Sequence, residues 1–274
     1  MANYTAADIK EIREATGAGM LDVKKALDEA DGDKAKAVEV IRVKGLKGIA
    51  KREGRTASEG LIAFDIRDSA EGRTGTLVEL NSETDFVAKN DKFVALGDEA
   101  VAAAVESGAT EPEQLAETPF GEALTNAGAS MGEKILVRRI GRVSGEAVTE
   151  YMHRTNKDLP PQVGVLVATD AAGAEVARDV AMHIAAFTPA YLTRDEVPAE
   201  LVENERRIAQ ETAENEGKPE KAIPKIVEGR LNGFYKENVL LDQAFAKDPK
   251  KSVGQVVEEA GGTVTGFVRF RVGN

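Results

Sequence analysis

The stretches Gly60-Leu-Ile-Ala-Phe-Asp-Ile66 and Thr74-Gly-Thr-Leu-Val-Glu-Leu80 decide the fold class. Each is short and largely apolar, and turn-forming residues lie between them at 68–72, which predicts a β-hairpin. Outward from this hairpin, the pattern predicts helices at 91–105, 175–186 and 252–260 and strands at 134–143, 147–153, 163–169 and 263–272. Strands grouped among helices, without strict βαβ alternation, indicate an α+β fold with an antiparallel core.

Residues 1–45 precede the hairpin and predict a bundle of three short helices. Apolar residues recur at helical spacing, and the breaks fall at 17–19 and 31–33, where Gly and Asp supply turn chemistry. Because a bundle of this size buries little apolar surface, we expect it to act as a docking module.

Residues 46–57 predict a basic linker. The stretch from Arg42 to Arg55 has six Lys or Arg residues and one acidic residue, and three glycines are expected to interrupt any helix there. These charges are consistent with a solvated tether or with a patch that binds phosphate groups.

The core is expected to have two parts, with a helical hairpin inserted in the second. We assign residues 58–140 to the first core subdomain, and residues 141–197 and 236–274 to the second. The intervening residues 198–235 are densely charged and have a turn at Gly217-Lys-Pro219, so they predict an antiparallel hairpin of coiled-coil type.

A weak internal repeat relates the two core parts. Gly75-Thr-Leu-Val-Glu-Leu80 is similar to Gly164-Val-Leu-Val-Ala-Thr169, and the helices that follow align as 94–104 on 176–186. The strands are offset by 89 residues and the helices by 82, so the first copy has seven more residues, within 81–90. A loop longer than the fold requires is expected to have a function.

Composition excludes several classes of protein. A net charge of −11 over 274 residues argues against a chain whose whole surface binds nucleic acid or an anionic membrane. There is no Cys, and neither GxxxxGK[ST] nor GxGxxG occurs, so thiolate chemistry and a phosphate-binding loop are not predicted. No apolar run approaches the length of a membrane span and the N-terminus is polar, so we expect no signal peptide and a cytoplasmic location.

The 81–90 loop contains the first candidate functional residues. Phe86 either covers the core or protrudes as an aromatic anchor for a partner. Asp85 beside it either caps the next helix or faces that partner. As a catalytic carboxylate pair, Glu83 and Asp85 are weak, because no histidine or metal cluster is nearby in the sequence.

Other candidates lie on predicted helices. Met20 shares a face with core positions of the second helix, whereas Leu21 is rotated off that face and is expected to be exposed. His183 lies in an apolar helical stretch, and we interpret it as a structural or interface histidine, since no nucleophile is spaced to meet it.

Several motifs identify a family resemblance. They are Thr16-Gly-Ala-Gly-Met-Leu-Asp-Val-Lys-Lys-Ala-Leu27, Thr84-Asp-Phe-Val-Ala-Lys-Asn90, Met182-His-Ile-Ala-Ala186, Pro249-Lys-Lys-Ser-Val-Gly-Gln255 and Val264-Thr-Gly-Phe-Val-Arg-Phe270. In this order, and over essentially the whole chain, the sequence resembles bacterial elongation factor Ts.

The resemblance implies a translation factor that promotes GDP release from the GTPase elongation factor Tu. It implies no covalent catalysis, no cofactor or metal, and no binding of the nucleotide, of a membrane or of a specific nucleic acid by this chain. Its exchange loop would enter the partner near the magnesium site of the nucleotide and consists here of Thr84, Asp85, Phe86 and Val87. Docking would use a bundle like a ubiquitin-associated domain and the second core half, through Ile12, Met20, Leu21 and His183.

Two other functions remain open on the residues alone. One is an RNA- or ribosome-binding adaptor that uses the basic stretch from Arg42 to Arg55. The other is an enzyme that uses His153 or His183. Neither explains the motif at 84–90.

Overall fold

Three helices form the N-terminal bundle of the computed structural model. The structure describes residues 3–16, 18–52, 54–70 and 72–273, and for residues 46–52 it describes the backbone alone. The three helices are α1 (Ala6–Thr16), α2 (Met20–Glu29) and α3 (Lys34–Arg52). Their shared apolar core centres on Val23 and Leu27, which are fully buried. The predicted bundle is therefore confirmed as three packed helices.

The third helix is longer than predicted and corrects the assignment of the basic linker. Helix α3 continues to Arg52, so Gly45 and Gly48 lie inside it instead of interrupting it. A helical Gly costs only about 1 kcal/mol relative to Ala, which tertiary packing can offset. At Gly45 the packing is direct, because an added Cβ would lie 2.6 Å from the carbonyl oxygen of Ala129.

The first core half is a three-stranded antiparallel sheet covered by helices. Its strands lie in the order β1 (Glu59–Ser69), β2 (Gly72–Ser82) and β3 (Leu136–Gly145). Between β2 and β3 the chain forms α4 (Asp85–Ala88), α5 (Asp91–Ser107), α6 (Pro112–Ala116) and α7 (Pro119–Met131). The predicted hairpin is confirmed, and its strands extend further into the turn than expected.

The second core half repeats this arrangement. Its elements are β4 (Ala147–His153), β5 (Val163–Thr169), α8 (Ala174–Phe187), α9 (Ala199–Asn215), α10 (Ile223–Asn238), β6 (Ala244–Phe245), β7 (Asp248–Ser252), α11 (Val253–Glu259) and β8 (Val264–Arg271). The antiparallel order β4-β5-β8 matches β1-β2-β3, and α8 packs on β4 and β5 as α5 packs on β1 and β2. The internal repeat is thus a hairpin, a covering helix and a returning strand.

The two sheets pack face to face, with helices on both outer sides. Ile62 and Leu77 of the first sheet share one apolar cluster with Val148 and Leu166 of the second. The opposite faces pack separately against the helices of each half. Every residue of β5 is consequently buried, which explains its uninterrupted apolar sequence.

The repeated glycines lie at the sheet interface. An added Cβ at Gly75 would lie 2.9 Å from Cγ1 of Val148, and one at Gly164 would lie 2.5 Å from Cγ2 of Ile62. Real Cβ atoms essentially never approach this closely. Both copies therefore have Gly at a position where the other sheet leaves no room for a side chain.

Helices α9 and α10 form the charged hairpin expected at 198–235. They pack through a small cluster that contains Ala209, Val227 and Leu231. At the base of the hairpin, Arg194 donates to both carboxylate oxygens of Asp242, with its Nη2 2.7 Å from Oδ1. This ion pair joins the segments that enter and leave the hairpin.

The close contact at Gly45 leads to a stability prediction. Gly45→Ala should lower the thermal unfolding midpoint, because overpacking a tight contact costs about 1–3 kcal/mol. Gly229→Ala is the matched control, since Gly229 is exposed in α10 with nothing within 4 Å of an added Cβ. It should raise the midpoint through helix propensity alone. Equal upward shifts of both variants in a thermal melt would contradict the close packing of α3 on α7.

Candidate functional site

The 81–90 loop is shorter and more ordered than its sequence indicated. Strand β2 continues to Ser82, and residues 85–88 form the single turn α4, so most of the stretch predicted as a loop is regular structure. The connection from β2 to α5 has eight residues, 83–90, against four, 170–173, between β5 and α8. The first half is still the longer one, and the added length forms α4.

Capping side chains define the ends of this connection. The hydroxyl of Thr84 accepts a hydrogen bond from the Val87 amide at 3.4 Å, as an N-cap residue does. The Asn90 side chain accepts from the Lys92 amide at 2.9 Å and begins α5. Asp85 lies in the first turn of α4 and does not cap α5.

Phe86 protrudes from this connection, so the interpretation as a cover of the core is wrong. Its side chain is 73% exposed, whereas Ala88 is buried and Val87 packs against the core of the first half. The ammonium of Lys89 lies 4.4 Å from the centre of the Phe86 ring and 3.5 Å from Oδ2 of Asp85. The connection thus presents an aromatic ring beside a partly exposed carboxylate.

A buried polar network supports the end of β2. Glu79 is fully buried, and its carboxylate accepts from Nε of Arg139 at 2.6 Å and from the side-chain amide of Asn81 at 3.1 Å. Asn81 in turn accepts from Nε of Arg138 at 2.9 Å. This network was not predicted from the sequence. The signal that could have indicated it is Glu79 within the apolar run Leu77-Val-Glu-Leu80.

The bundle presents an exposed apolar pair. Met20 and Leu21 are 59% and 72% exposed at the start of α2. The exposure predicted for Leu21 is confirmed, while the core position predicted for Met20 is wrong, because α2 contributes to the bundle core only from Val23 onward. Ile12 is also corrected as a docking residue, because it is only 2% exposed and belongs to that core.

An open cleft lies between the bundle and the loop. Ala18 and Lys89 line it together, as do the basic residues Lys10, Arg13 and Lys92. Ala18 is two residues from Met20, and Lys89 is three from Phe86. The cleft therefore adjoins the segment that carries the exposed apolar pair and the segment that carries the protruding Phe.

His183 is buried and its hydrogen bonds are complete. Its Nδ1 accepts from the Ala246 amide at 3.2 Å, so Nε2 carries the proton and donates to Oε1 of Gln243 at 2.8 Å. The interpretation as a structural histidine is confirmed, and as a direct docking residue His183 is corrected, because no part of it is exposed. Its ring stacks on Phe187, 4.6 Å between centres, and Phe187 is 51% exposed.

The basic stretch is partly neutralised by ion pairs. Arg42 pairs with Glu122 at 2.6 Å, Lys44 contacts Glu29, and Arg55 lies 3.2 Å from Glu83. All three basic side chains of this stretch that the structure describes thus have acidic partners, which disfavours an RNA-binding adaptor. The side chains of Lys47, Lys51 and Arg52 lie outside the described part.

Metal sites and membrane-spanning helices are two further classes of feature. Across the described ranges, no group of three or more His, Asp or Glu residues is placed to hold a metal ion. In the same part of the chain, no helix is both long enough and apolar enough to cross a bilayer.

Comparisons with known proteins show the family of this chain. The family model described as Elongation factor TS matches residues 83–274. Proteins named Elongation factor Ts from Beutenbergia cavernae, Micrococcus luteus and Kineococcus radiotolerans are 65%, 62% and 55% identical, each over the full length of both chains. This chain belongs to the elongation factor Ts family. It is therefore a member of a family of translation elongation factors.

The elongation factor Ts model covers the connection at 83–90, the following helices and β3 of the first half, and the whole second half. Its match begins at Glu83, directly before the capped turn α4, and ends after β8. The bundle lies before this match, but the full-length relatives align with it as well. The exposed apolar pair and the protruding Phe consequently both lie within regions shared with these relatives.

Burial of His183 leads to a pH prediction. Loss of hydration lowers the pKa of His183 below its ordinary value of 6.5. Below about pH 6.5 the unfolded chain therefore binds a proton at His183 that the folded chain does not bind. The contribution of His183 to the free energy of unfolding is complete above about pH 6.5 and decreases as the pH falls below it. The slope should be at most about 1.4 kcal/mol per pH unit.

Chemical denaturation between pH 7.5 and 5.5 measures this slope. His183→Gln should reduce the slope relative to the unsubstituted protein, because it removes the titrating group. The same change at His153, which is exposed, serves as the control. An unchanged slope in His183→Gln would show that burial of the imidazole does not contribute.

Proposed function

We propose that this chain binds elongation factor Tu in its GDP-bound form and promotes release of GDP, so that GTP can reload. The proposal rests on one observation above all: a chain of the elongation factor Ts family presents Phe86 and Asp85 outward from a turn fixed to its core. The action requires no covalent step, no cofactor and no contact of this chain with the nucleotide. Its location would be cytoplasmic, without membrane or specific nucleic-acid partners.

Phe86 acts as a wedge in this proposal. Its ring enters the GTPase beside the magnesium site of the nucleotide, and Asp85 holds the backbone that the ring displaces. Magnesium is then released and the phosphate contacts weaken. Burial of one Phe contributes about 1.5–3 kcal/mol, which corresponds to about one to two decades in rate.

Exchange follows from differential affinity. A factor that binds the nucleotide-free GTPase more tightly than the loaded form must, by linkage, be weakened to the same extent when nucleotide returns. The bound factor therefore lowers GDP affinity and is itself released when GTP binds. This cycle lets one molecule of factor serve many molecules of GTPase.

The bundle supplies the docking contact. Met20 and Leu21 form an exposed apolar pair, as expected for a module like a ubiquitin-associated domain that binds a helix of the GTPase. The cleft lined by Ala18 and Lys89 lies between the segments that carry this pair and the wedge, which supports the proposal. In the proposal, docking and wedging are separate contacts made by different residues.

The second core half would make a further contact with the partner. His183 was expected there, and Phe187 is the exposed ring stacked on it. In the proposal, Phe187 meets the partner and His183 holds that ring in place.

The wedge has a direct test. Phe86→Ala should slow the release of a fluorescent GDP analogue from elongation factor Tu by about ten- to a hundredfold at saturating factor, because the buried ring surface is lost. Affinity for the GDP-bound GTPase should change much less, since docking uses the bundle, whereas affinity for the nucleotide-free form should fall along with the rate. Stopped-flow release and a separate binding titration measure the two effects.

Two other variants complete this test. Phe64→Ala changes another partly exposed Phe of the same core half and should leave release unaffected. Leu21→Ala should raise the concentration of factor needed for half-maximal release without lowering the maximal rate. If Phe86→Ala instead loses its helical circular dichroism or its binding, the ring is structural and the wedge proposal is wrong.

A further inference from the structure

A carboxylate from another part of the chain holds the base of α4. Oε2 of Glu133 accepts hydrogen bonds from the backbone amides of Glu83 and Thr84, both at 3.0 Å. Its Oε1 accepts from the hydroxyl of Thr84. Three donors directly before α4 thus converge on one side chain, which lies in the turn between α7 and β3.

The contact is reciprocal. Oε1 of Glu83 accepts from the Lys134 amide at 2.6 Å, so each segment offers a carboxylate to the backbone of the other. Arg55 lies 3.2 Å from Oε2 of Glu83 and holds that side chain from a third direction. Hydrogen bonds to ionised groups are shorter and stronger than neutral ones.

The hydrogen bonds between residues 83–84 and 133–134, called the clasp below, hold the N-terminal end of α4. Helix α4 has only four residues, and one isolated turn is marginal in water. Only Val87 and Ala88 of α4 pack into the core, while Phe86 points outward. The direction of Phe86 is therefore set by how firmly the preceding residues, Glu83 and Thr84, are held.

We propose that Glu133 is a positioning residue for nucleotide exchange: it fixes the backbone at Glu83 and Thr84 so that Phe86 and Asp85 are presented in one orientation. The inference rests on the proposed function and adds to it a residue that does not contact the nucleotide site. A residue of this kind affects the rate through geometry, and small misplacement of a reacting contact can cost about a hundredfold.

Glu133→Gln tests the clasp with little change in shape. The neutral amide keeps one oxygen, which accepts more weakly from the two backbone amides than a carboxylate does, and its NH2 group cannot accept from the Thr84 hydroxyl. The maximal rate of GDP release at saturating factor should fall about tenfold or more, while the half-saturating concentration changes less than about threefold. Hydrogen exchange should show about tenfold faster exchange of the Glu83 and Thr84 amides, with β1 and β2 still protected.

The outcomes separate the clasp from the function. If the unsubstituted protein does not accelerate GDP release, the proposed function fails. If the unsubstituted protein does accelerate release and Glu133→Gln keeps the maximal rate, the proposed role of Glu133 is wrong. That role is also wrong if Glu133→Gln lowers the maximal rate while the amides of Glu83 and Thr84 stay protected from exchange. Glu106→Gln, an exposed Glu of α5, is the matched control and should match the unsubstituted protein.

A second variant covers the case in which Glu133→Gln unfolds. Thr84→Val removes one of the three donors, together with the hydroxyl that caps α4, and leaves Glu133 in place. It should reduce the maximal rate in the same direction and by a smaller factor. Thr84→Ser keeps both hydrogen bonds and should match the unsubstituted protein. An unchanged rate in Thr84→Val would overturn the proposal in that case.

Discussion

The face-to-face packing of two three-stranded sheets is the constraint on which the rest of the structure depends. Each sheet has one face against the other sheet and one face against its own helices, so β5 is buried throughout. Gly75 and Gly164, at matching positions of the repeat, allow the sheets to approach. Because both faces of both sheets are occupied, the connections at the strand ends are the natural places to present side chains to a partner.

The two halves use the same connection differently. After β5 the chain passes into α8 through four residues, which only close the fold. After β2 it forms an additional turn that exposes Phe86, and the buried pair of Glu79 and Asn81 fixes the strand beneath it. The internal repeat thus has two forms of the connection from strand to helix. The connection is short in the second half, and in the first half it is longer and exposes an aromatic residue.

Most of the fold was predictable where local pattern and burial agree. The bounds of β4 and β5 match the prediction, since short runs rich in β-branched and apolar residues have few alternatives. The continuation of α3 past Gly45 was not predictable, because it depends on packing against Ala129 of a helix far away in the sequence. The site divides similarly: the lengthened loop was visible in the sequence, but the choice between buried and exposed Phe86, and the clasp by Glu133, require the tertiary structure.

The most direct test of the account is turnover. A small, substoichiometric amount of this protein is mixed with elongation factor Tu loaded with a fluorescent GDP analogue, in excess unlabelled nucleotide, and the loss of fluorescence is followed. The account predicts that every molecule of GTPase loses its GDP analogue faster, in proportion to the factor added, because each factor molecule is released and acts again. Acceleration that stops after one equivalent, or none with a demonstrably active GTPase, would contradict it.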